Sequence, residues 1–332
     1  MMKKNILNYL EQGKYISGEF LAKKMGISRV GIWKQIQKLK MLNYDIISQQ
    51  NSGYCLVSKP DLLLVDEIQD QLETDFIGHK IFYYHEVEST NNTAKKKAQS
   101  AQEVIPEGTL VIAEKQLGGK GRIGRRWFSP QGGIWLSIIL YPHLSPAYIP
   151  RITLVTAVAL ARAIRRLTKI QPLIKWPNDI LIQEKKICGI LTEMSAELDT
   201  INWLVIGVGI NVNILHDEFP DEIKDISISL QEILNEKISR IELVKIFLKQ
   251  FEVYYQLLCK NKSELILEEW KKYSYTLGRH IKVKSGDRII SGKAVDISRN
   301  GALIIKKDNG ESEEIISGTV LNKSKEIDRY EE

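Results

Sequence analysis

The sequence has few of the residues that build disulfide frameworks, metal clusters and catalytic triads. Its 332 residues include three widely spaced cysteines, Cys55, Cys188 and Cys259, and five scattered histidines. An odd number of distant cysteines excludes a disulfide framework. The sequence shows neither a Ser/His/Asp pattern nor a His/Cys cluster. We therefore expect chemistry that needs no nucleophile triad and no zinc site.

Long apolar runs are also missing. No run approaches the roughly 18 apolar residues of a membrane-spanning helix, and no apolar segment follows the charged start of the chain. The sequence predicts a soluble, cytoplasmic protein with no membrane partner. Its length predicts two or three domains, and 43% hydrophobic residues suffice for a sizeable core.

A third absence is local. No Asp or Glu lies between Lys115 and Asn178, whereas this stretch carries eleven Lys and Arg residues. The whole chain is only mildly basic, with a net charge of +6. Positive charge is therefore concentrated in the middle of the chain, which favours an anionic ligand there.

The centre of this stretch is a glycine-rich segment from Gln116 to Pro130, which follows a predicted strand from Leu110 to Glu114. Glycines allow the backbone to approach a ligand closely. Guanidinium and ammonium groups bind anions. The four cations of the segment are Lys120, Arg122, Arg125 and Arg126. We interpret the segment as a cradle for an anionic ligand.

The glycine-rich segment has three other interpretations: a dinucleotide-binding loop, a P-loop and a disordered surface loop. The spacing Gly119-x-Gly121-x-x-Gly124 formally matches a dinucleotide-binding fingerprint, but neither a helix nor the required acidic residue follows. No Gly-Lys-Ser/Thr closes the segment, which excludes a P-loop. A disordered basic surface loop is the remaining alternative.

Four motifs occur in one order between residues 119 and 211. Gly119-Lys-Gly-Arg-Ile-Gly-Arg-Arg-Trp127 resembles the G-R-G-R-x-G-R-x-W loop of biotin–protein ligases. Residues 175–179 (K-W-P-N-D), 186–193 (K-I-C-G-I-L-T-E) and 207–211 (G-V-G-I-N) resemble three further motifs of that family. The first Arg of the loop is replaced by Lys120, which keeps the charge but loses the bidentate fork.

Residues 1–60 predict three helices followed by a two-stranded hairpin. Ser17 and Ser28 are placed to cap the second and third helices, and Phe20 and Leu21 are expected to point inward. The third helix, from Arg29 to Leu39, is predicted to bury one face. The residues assigned to this face are Val30, Trp33, Ile36 and Leu39.

This layout is that of a winged helix-turn-helix, in which the third helix enters the major groove and the hairpin lies along the phosphate backbone. A small bundle for protein contacts is the alternative. The segment also resembles the N-terminal domain of the biotin ligases that repress transcription. The candidate DNA-binding residues are Ser28, Arg29, Lys34, Gln35, Lys38 and Ser52.

The rest of the chain predicts two more domains. Residues 61–270 contain strands of a mixed or antiparallel sheet and two main helices, Ile152 to Leu167 and Arg240 to Leu258, with a loop-like acidic stretch at 215–238. Residues 271–325 predict four short strands separated by turns. They are Ile281 to Lys284, Ile289 to Val295, Ala302 to Lys306 and Glu313 to Ile316. The expected fold is α+β and multidomain: an N-terminal winged helix-turn-helix, a central mixed α/β ligase domain with a class II synthetase-like sheet, and a C-terminal SH3-like β-barrel.

The resemblance implies ATP-dependent acyl transfer in two steps. The biotin carboxylate attacks the α-phosphate of ATP to give biotinyl-5'-AMP, and a lysine of a biotin carboxyl carrier protein then attacks the adenylate. The family also implies Mg²⁺, repression at a biotin operator with biotinyl-AMP as corepressor, and a homodimer that this adenylate promotes by ordering the glycine-rich loop. The protein supplies positioning and positive charge rather than a nucleophile.

The resemblance also assigns roles to individual residues. Those expected to bind biotin are Ser89, Thr90, Asn91, Gln116, Lys120, Gly121, Arg122 and Lys186. Those expected to bind the nucleotide are Arg122, Arg125, Trp127, Lys175, Asn178, Asp179 and Asn211. The residues expected to act in catalysis are Lys120, Arg122 and Lys186, and those expected to hold Mg²⁺ are Asp179 and Asn211.

Several of these assignments have plainer alternatives. Ser89-Thr-Asn91 also suits a helix cap, Asn178-Asp179 a turn, and Lys186 a lysine at a strand end. Some family members place a Trp over the adenine at the position of Ser227. The adenine contact is therefore an open question.

Two rival functions remain at this stage. A lipoate or octanoate ligase would share the fold and the adenylation chemistry, although the N-terminal domain, residues 175–179 and the C-terminal strands favour biotin. A DNA-bound biotin sensor with weak ligase activity is favoured only by Lys120.

Overall fold

A computed structural model describes residues 2–10, 13–41 and 44–321. The chain divides into two compact units, one ending at Leu62 and the other beginning at Leu63. The division into three domains at residues 60 and 270 stays a prediction.

The first unit contains three helices and one hairpin. Its elements are α1 (Met2–Leu10), α2 (Gly18–Met25), α3 (Arg29–Met41), β1 (Asp45–Gln49) and β2 (Gly53–Ser58). The predicted caps are confirmed, because Ser17 Oγ accepts the N–H of Phe20 and Ser28 Oγ accepts the N–H of Gly31, both at 3.1 Å. Gly53 has φ +106°, and a Cβ there would lie 2.1 Å from the carbonyl oxygen of Ile16. Only glycine therefore fits where the hairpin crosses the segment before α2.

The buried face of α3 differs from the predicted one. Val30 and Trp33 are 62% and 52% exposed. The buried residues of α3 are Ile32, Ile36 and Leu39. Each step of three residues falls about 60° short of a full turn, so a run of such steps winds off the face, whereas alternating steps of four and three stay on it. The prediction for Val30 and Trp33 was wrong for this reason.

Phe20 of α2 was also placed wrongly. Its side chain is 42% exposed, whereas the neighbouring Leu21 is buried. The ring of Phe20 meets Tyr9 edge-on at 5.7 Å between centroids. Adjacent helical residues point about 100° apart, and only one of the two can face the centre of so small a unit.

The second unit is built on a seven-stranded mixed sheet with the order β3-β4-β5-β9-β8-β7-β6. β3 runs parallel to β4, and the remaining neighbours are antiparallel. The strands are β3 (Ile81–Val87), β4 (Thr109–Gln116), β5 (Ile134–Leu140), β6 (Leu173–Lys175), β7 (Asp179–Ile182), β8 (Lys185–Glu197) and β9 (Thr200–Ile210).

Helices cover both faces of this sheet. The helices of this unit are α4 (Val65–Gln69), α5 (Thr90–Ala98), α6 (Ile149–Thr168), α7 (Asp221–Lys224), α8 (Leu230–Leu234), α9 (Arg240–Cys259) and α10 (Ser263–Tyr273). Helix α10 was not predicted from the sequence, and the region of α7 and α8 was expected to be loop. Helix α6 packs against α9 and α10, whereas α5 packs on β4, β5 and β9. By length and composition Pro146–Thr168 could span a membrane, but most of it is buried, as in the core helix of a folded domain.

Side-chain alternation along the strands separates the two faces. Leu110 and Ile112 of β4 belong to the large core with α6 and α9. Val111 of the same strand and Val205 of β9 pack with Ala94 of α5 on the other face. Alternate residues of β9 counted from Val205, such as Gly207 and Gly209, therefore also lie on the α5 face.

The end of the described chain forms a five-stranded antiparallel sheet with the order β13-β12-β11-β10-β14. Its strands are β10 (His280–Ser285), β11 (Arg288–Ile297), β12 (Leu303–Lys306), β13 (Ser312–Ile315) and β14 (Thr319–Leu321). The first four were predicted and β14 was not. Buried residues of this sheet, such as Val283 and Leu303, belong to the same core as the central sheet.

A buried ion pair fixes the start of the second unit. Arg240 and Glu114 are fully buried, with 2.8 Å between Nη2 and Oε2. The other carboxylate oxygen of Glu114 accepts the N–H of Leu63 at 2.6 Å, and Arg240 also donates to the carbonyl of Gly133. The strand that ends at Gln116 is thereby tied to the first residue of the unit.

Candidate active site

A cavity of about 320 Å³ lies on the α5 face of the central sheet. All the residues that the sequence assigned to biotin, nucleotide or Mg²⁺ line it. They are Ser89, Thr90, Asn91, Gln116, Lys120, Gly121, Arg122, Arg125, Trp127, Lys175, Asn178, Asp179, Lys186 and Asn211. The four motifs therefore meet at one place, and their individual roles stay predictions.

The glycine-rich segment folds into a hairpin over this cavity. The N–H of Trp127 donates to the carbonyl of Gly119 at 2.8 Å, and that of Gly121 to the carbonyl of Arg125 at 2.7 Å. Ile123, at the tip, has φ +55° and is 79% exposed. The dependence of this hairpin on bound adenylate stays a prediction.

The indole of Trp127 lies on two paired glycines. Gly189 of β8 faces Gly209 of β9 in the sheet register. A Cβ at Gly209 would lie 2.4 Å from Trp127 Nε1, and one at Gly189 would lie 2.8 Å from Cζ3. Lys186 Nζ stands 5.0 Å from the ring centroid. Gly189 of the third motif and Gly209 of the fourth are thus explained by the space that this ring requires.

One end of the cavity, here called the uncharged end, is lined by the neutral side chains of residues 89–91 and Gln116, and Lys120 Nζ approaches it at Asn92 Oδ1, 3.2 Å away. Gln116 Oε1 accepts from the N–H of Thr90 at 2.8 Å and from its hydroxyl at 3.0 Å. Gln116 Nε2 donates to Ser129 Oγ at 2.9 Å. Ser89 Oγ accepts the N–H of Asn92 and so caps α5. Residues 89–91 therefore act as a helix cap and also line the cavity.

The other end of the cavity is cationic, and Arg122 is its most constrained member. Its guanidinium donates to Asn178 Oδ1 at 2.9 Å and to the carbonyl of Gly318 at 3.1 Å. Burial lowers the pKa of Arg122, Asp179 opposes that change, and Arg125 adds to it. Arginine stays charged at neutral pH despite such shifts, so the cavity holds a preorganised positive charge.

Lys186 and Asp179 form an ion pair inside the cavity, with 2.7 Å between Nζ and Oδ1. Asn211, the other predicted Mg²⁺ ligand, is buried and donates from Nδ2 to the carbonyl of Ile228 at 3.2 Å. Among residues 2–10, 13–41 and 44–321, no group of three His, Cys, Asp or Glu side chains could hold a metal. Any metal here would therefore take most of its ligands from outside the protein.

Ser227, at the position where some family members have an aromatic residue, is buried beside β8. The N–H of Lys186 donates to the carbonyl of Ile226 at 2.7 Å, and that of Ile228 donates to the carbonyl of Lys186. This backbone pairing turns residues 226–228 into a cavity wall. An aromatic side chain does line the cavity nearby, namely Phe219.

Sequence reasoning missed several cavity residues. Tyr275, Thr319 and Val320 line the cavity from the C-terminal part of the chain. No motif marks them, and Thr319 and Val320 belong to the strand that was not predicted. Their signal lies only in the packing of the C-terminal sheet beside the glycine-rich hairpin.

The candidate DNA-binding residues lie on α3 and the hairpin of the first unit. Arg29, Lys34 and Lys38 are exposed, and Gln35 and Ser52 are partly exposed. The hydroxyl of Ser28 caps α3. The exposed surface of α3 is therefore both cationic and, through Val30 and Trp33, apolar.

Comparison with known proteins identifies the family to which the chain belongs. The sequence models that match describe the biotin/lipoate A/B protein ligase family (residues 83–211), an HTH domain (residues 3–55) and the biotin protein ligase C terminal domain (residues 276–321). The fold class predicted from the sequence is thereby confirmed.

Whole-chain relatives agree with these matches. The chain is 37% identical to the bifunctional ligase/repressor BirA of Bacillus subtilis, over 93% of this chain and 95% of that protein. It is 30% identical to BirA of Escherichia coli over 91% and 92%. The biotin protein ligase of Aquifex aeolicus, solved with biotin and ATP, superposes with a TM-score of 0.64 at 31% identity, over 73% of this chain and 98% of that one. The chain therefore belongs to the biotin–protein ligases, in the group of bifunctional ligase/repressors.

Proposed function

We propose that this chain joins biotin to a lysine of a carrier protein in the cytoplasm and represses transcription when biotinyl-5'-AMP is bound. The observation that carries the proposal is the division of one cavity into an uncharged hydrogen-bonding end and a cationic end. A ureido ring suits the first end, and a carboxylate next to a triphosphate suits the second.

In the first step, an oxygen of the biotin carboxylate bonds to the α-phosphorus of ATP and pyrophosphate leaves. Lys186 is placed to bind that carboxylate, since its ammonium group is inside the cavity and is balanced by Asp179. Arg122, held by Asn178 and by Gly318, is placed against the charge that develops on the α-phosphate. Arg125 adds positive charge from the same hairpin, and Lys120 places its charge beside Asn92 at the hydrogen-bonding end.

In the second step, the ε-amine of a carrier lysine attacks the acyl carbon, loses a proton and releases AMP. The chain needs no nucleophile of its own for this transfer. It positions the adenylate under the hairpin and excludes water from the mixed anhydride. The ordering of that hairpin by the adenylate would also create the surface for a homodimer on operator DNA.

Two cavity residues carry oxygen ligands of the kind that Mg²⁺ binds. The ion binds through one or two carboxylates together with substrate phosphates, and Asp179 supplies a carboxylate in the cavity while Asn211 supplies a neighbouring amide. When bound, Mg²⁺ would neutralise charge on the pyrophosphate leaving group.

A lipoate or octanoate ligase fits the uncharged end less well. Neither a dithiolane nor an alkyl chain can pair with the hydroxyl and amide groups of Thr90 and Gln116. An unsatisfied buried polar group costs about 1–3 kcal/mol. The cavity therefore favours an acid whose ring carries both donors and acceptors.

The test is ATP–pyrophosphate exchange with biotin, lipoate, octanoate or no acid. Exchange with biotin alone is expected. Exchange with none of the acids would favour the DNA-bound sensor with weak ligase activity, and Lys120→Arg would then be the first variant to assay. Exchange with lipoate or octanoate but not biotin would refute the proposal.

A further inference from the structure

A chain of hydrogen bonds runs behind the uncharged end of the cavity. Lys95 Nζ donates to Glu193 Oε1 at 2.6 Å, and Glu193 Oε2 accepts from Asn91 Nδ2 at 2.8 Å. Asn91 Oδ1 accepts from Ser137 Oγ at 2.6 Å, and Ser137 Oγ lies 2.9 Å from Thr90 Oγ1. Asn91, Ser137 and Thr90 are buried. This series of hydrogen bonds therefore links Lys95, on the outer side of α5, to Thr90, which lines the cavity.

The direction of these hydrogen bonds follows from Glu193. A carboxylate can only accept, so the amino group of Asn91 must face it and the amide oxygen must face Ser137. Ser137 gives its single proton to that oxygen. The proton of Thr90 then goes to Ser137 or to Gln116 Oε1, which lies 3.0 Å away. Both lone pairs of Thr90 Oγ1 are then left for other donors.

We propose that Glu193, held by Lys95, is a positioning residue for biotin that fixes Thr90 as an acceptor for a ureido N–H. Neither Glu193 nor Lys95 lines the cavity, so both act through Asn91 and Ser137. The proposal rests on the biotin function given above and extends it to the selection of a cyclic urea. A ring without an N–H would leave the buried acceptor of Thr90 unpaired.

A further observation agrees with a fixed orientation of Asn91. Its Nδ2 also donates to the carbonyl of Leu191 at 3.3 Å, a second partner that can only accept. A Cβ at Gly207 would lie 2.2 Å from Asn91 Oδ1. Glycine at this position of the fourth motif thus leaves room for the amide in this orientation.

Glu193→Gln tests the polarity with almost no change in shape. Lys95 would hold the new amide oxygen, so the new amino group would face Asn91 and force its amide to turn. Ser137 would then lose its acceptor and donate to Thr90, which would occupy one of the two lone pairs of the Thr90 hydroxyl. We expect KM and Kd for biotin to rise about ten- to hundredfold, with KM for ATP changed less than about threefold. Lys96→Gln, on the exposed side of α5, is the matched control and should leave all constants unchanged.

A second substitution provides a rescue. In the E193Q background, Asn91→Asp would create a carboxylate that accepts from the new amide and from Ser137, which restores the polarity toward Ser137 and loses only the donor to the Leu191 carbonyl. Asn91→Asp alone would place two carboxylates together and should raise KM for biotin further than E193Q does. Partial recovery of biotin affinity in the double variant would support the proposed series of hydrogen bonds from Glu193 to Thr90.

Two results would overturn the proposal. One is an unchanged KM for biotin in E193Q. The other is an equal rise of KM for biotin and ATP together with a lower Tm and no rescue, which would indicate a merely structural role. A wild-type chain without biotin-dependent exchange would instead refute the function on which the proposal rests.

Discussion

Replacement of Lys186 by Met removes one charge from the cavity and leaves most of the side-chain volume. In the structure the ammonium group pairs with Asp179 at 2.7 Å and stands 5.0 Å from the ring of Trp127. Two unit charges 4 Å apart attract by about 4 kcal/mol at an effective dielectric constant of 20. Part of this attraction is already used on Asp179, so only the remainder is available for a biotin carboxylate.

A single preorganised charge or donor of this kind typically contributes about 2–4 kcal/mol to transition-state stabilisation. At 1.36 kcal/mol per factor of ten, K186M should slow biotinyl-AMP formation about 30- to 900-fold. Its unfolding free energy should change by at most about 1 kcal/mol, because both partners of the ion pair are partly exposed and solvent screens them.

The assay is single-turnover formation of biotinyl-AMP at saturating ATP, with Lys185→Met as control. Lys185 precedes Lys186 in β8 but does not line the cavity, so this variant should match the wild type. Adenylate formation by K186M within about threefold of the wild-type rate would refute the role given to Lys186.

Three further predictions concern packing, DNA binding and stability. Gly209→Ala should displace Trp127, since the new methyl group would lie 2.4 Å from Nε1 of its indole. Such overpacking costs about 1–3 kcal/mol and should appear as weaker biotin binding by calorimetry. An unchanged affinity for biotin would contradict the argument that Trp127 lies against Gly209. Trp33→Ala should weaken operator binding in gel shifts by about 1.5–3 kcal/mol, the free energy of burying a large apolar side chain. It should not lower Tm, because the side chain is 52% exposed. Met41→Ala, 75% exposed at the far end of α3, is its control, and a lower Tm for W33A would show that Trp33 is a core residue after all. Arg240→Met should destabilise the second unit by about 3–5 kcal/mol in urea unfolding, because it leaves Glu114 buried without its ion-pair partner. The double variant E114Q/R240M should recover part of that loss. A double variant no more stable than R240M would contradict the ion-pair explanation.

The sequence alone located the candidate site well, because each motif is local. A strand, a tight turn and a few ligand residues lie within ten or so positions of each other, so no long-range packing had to be known. The caps at Ser17 and Ser28 were predictable for the same reason, since a capping hydroxyl reaches only three residues along the chain.

The errors on α3 and the omission of α10 have different causes. The residues Ile32, Ile36 and Leu39 carry a correct helical period, but Val30 and Trp33 compete with them for the same helix, and only the packed unit decides between the two faces. For α10 the signal was present, because the buried residues of Ser263–Tyr273 recur at helical spacing. A short helix after a long one was simply not recognised.

By itself, then, the sequence determined the family, the order of its motifs and part of the set of residues that line the cavity. The tertiary structure decided which side chains those residues depend on. Glu193 meets Asn91 across 102 positions of sequence, and Arg122 meets Gly318 across 196. Such partners are set by strand register and by the packing of one sheet beside another, which no local pattern records. The hydrogen-bond polarity of the cavity is therefore a property of the fold rather than of any motif.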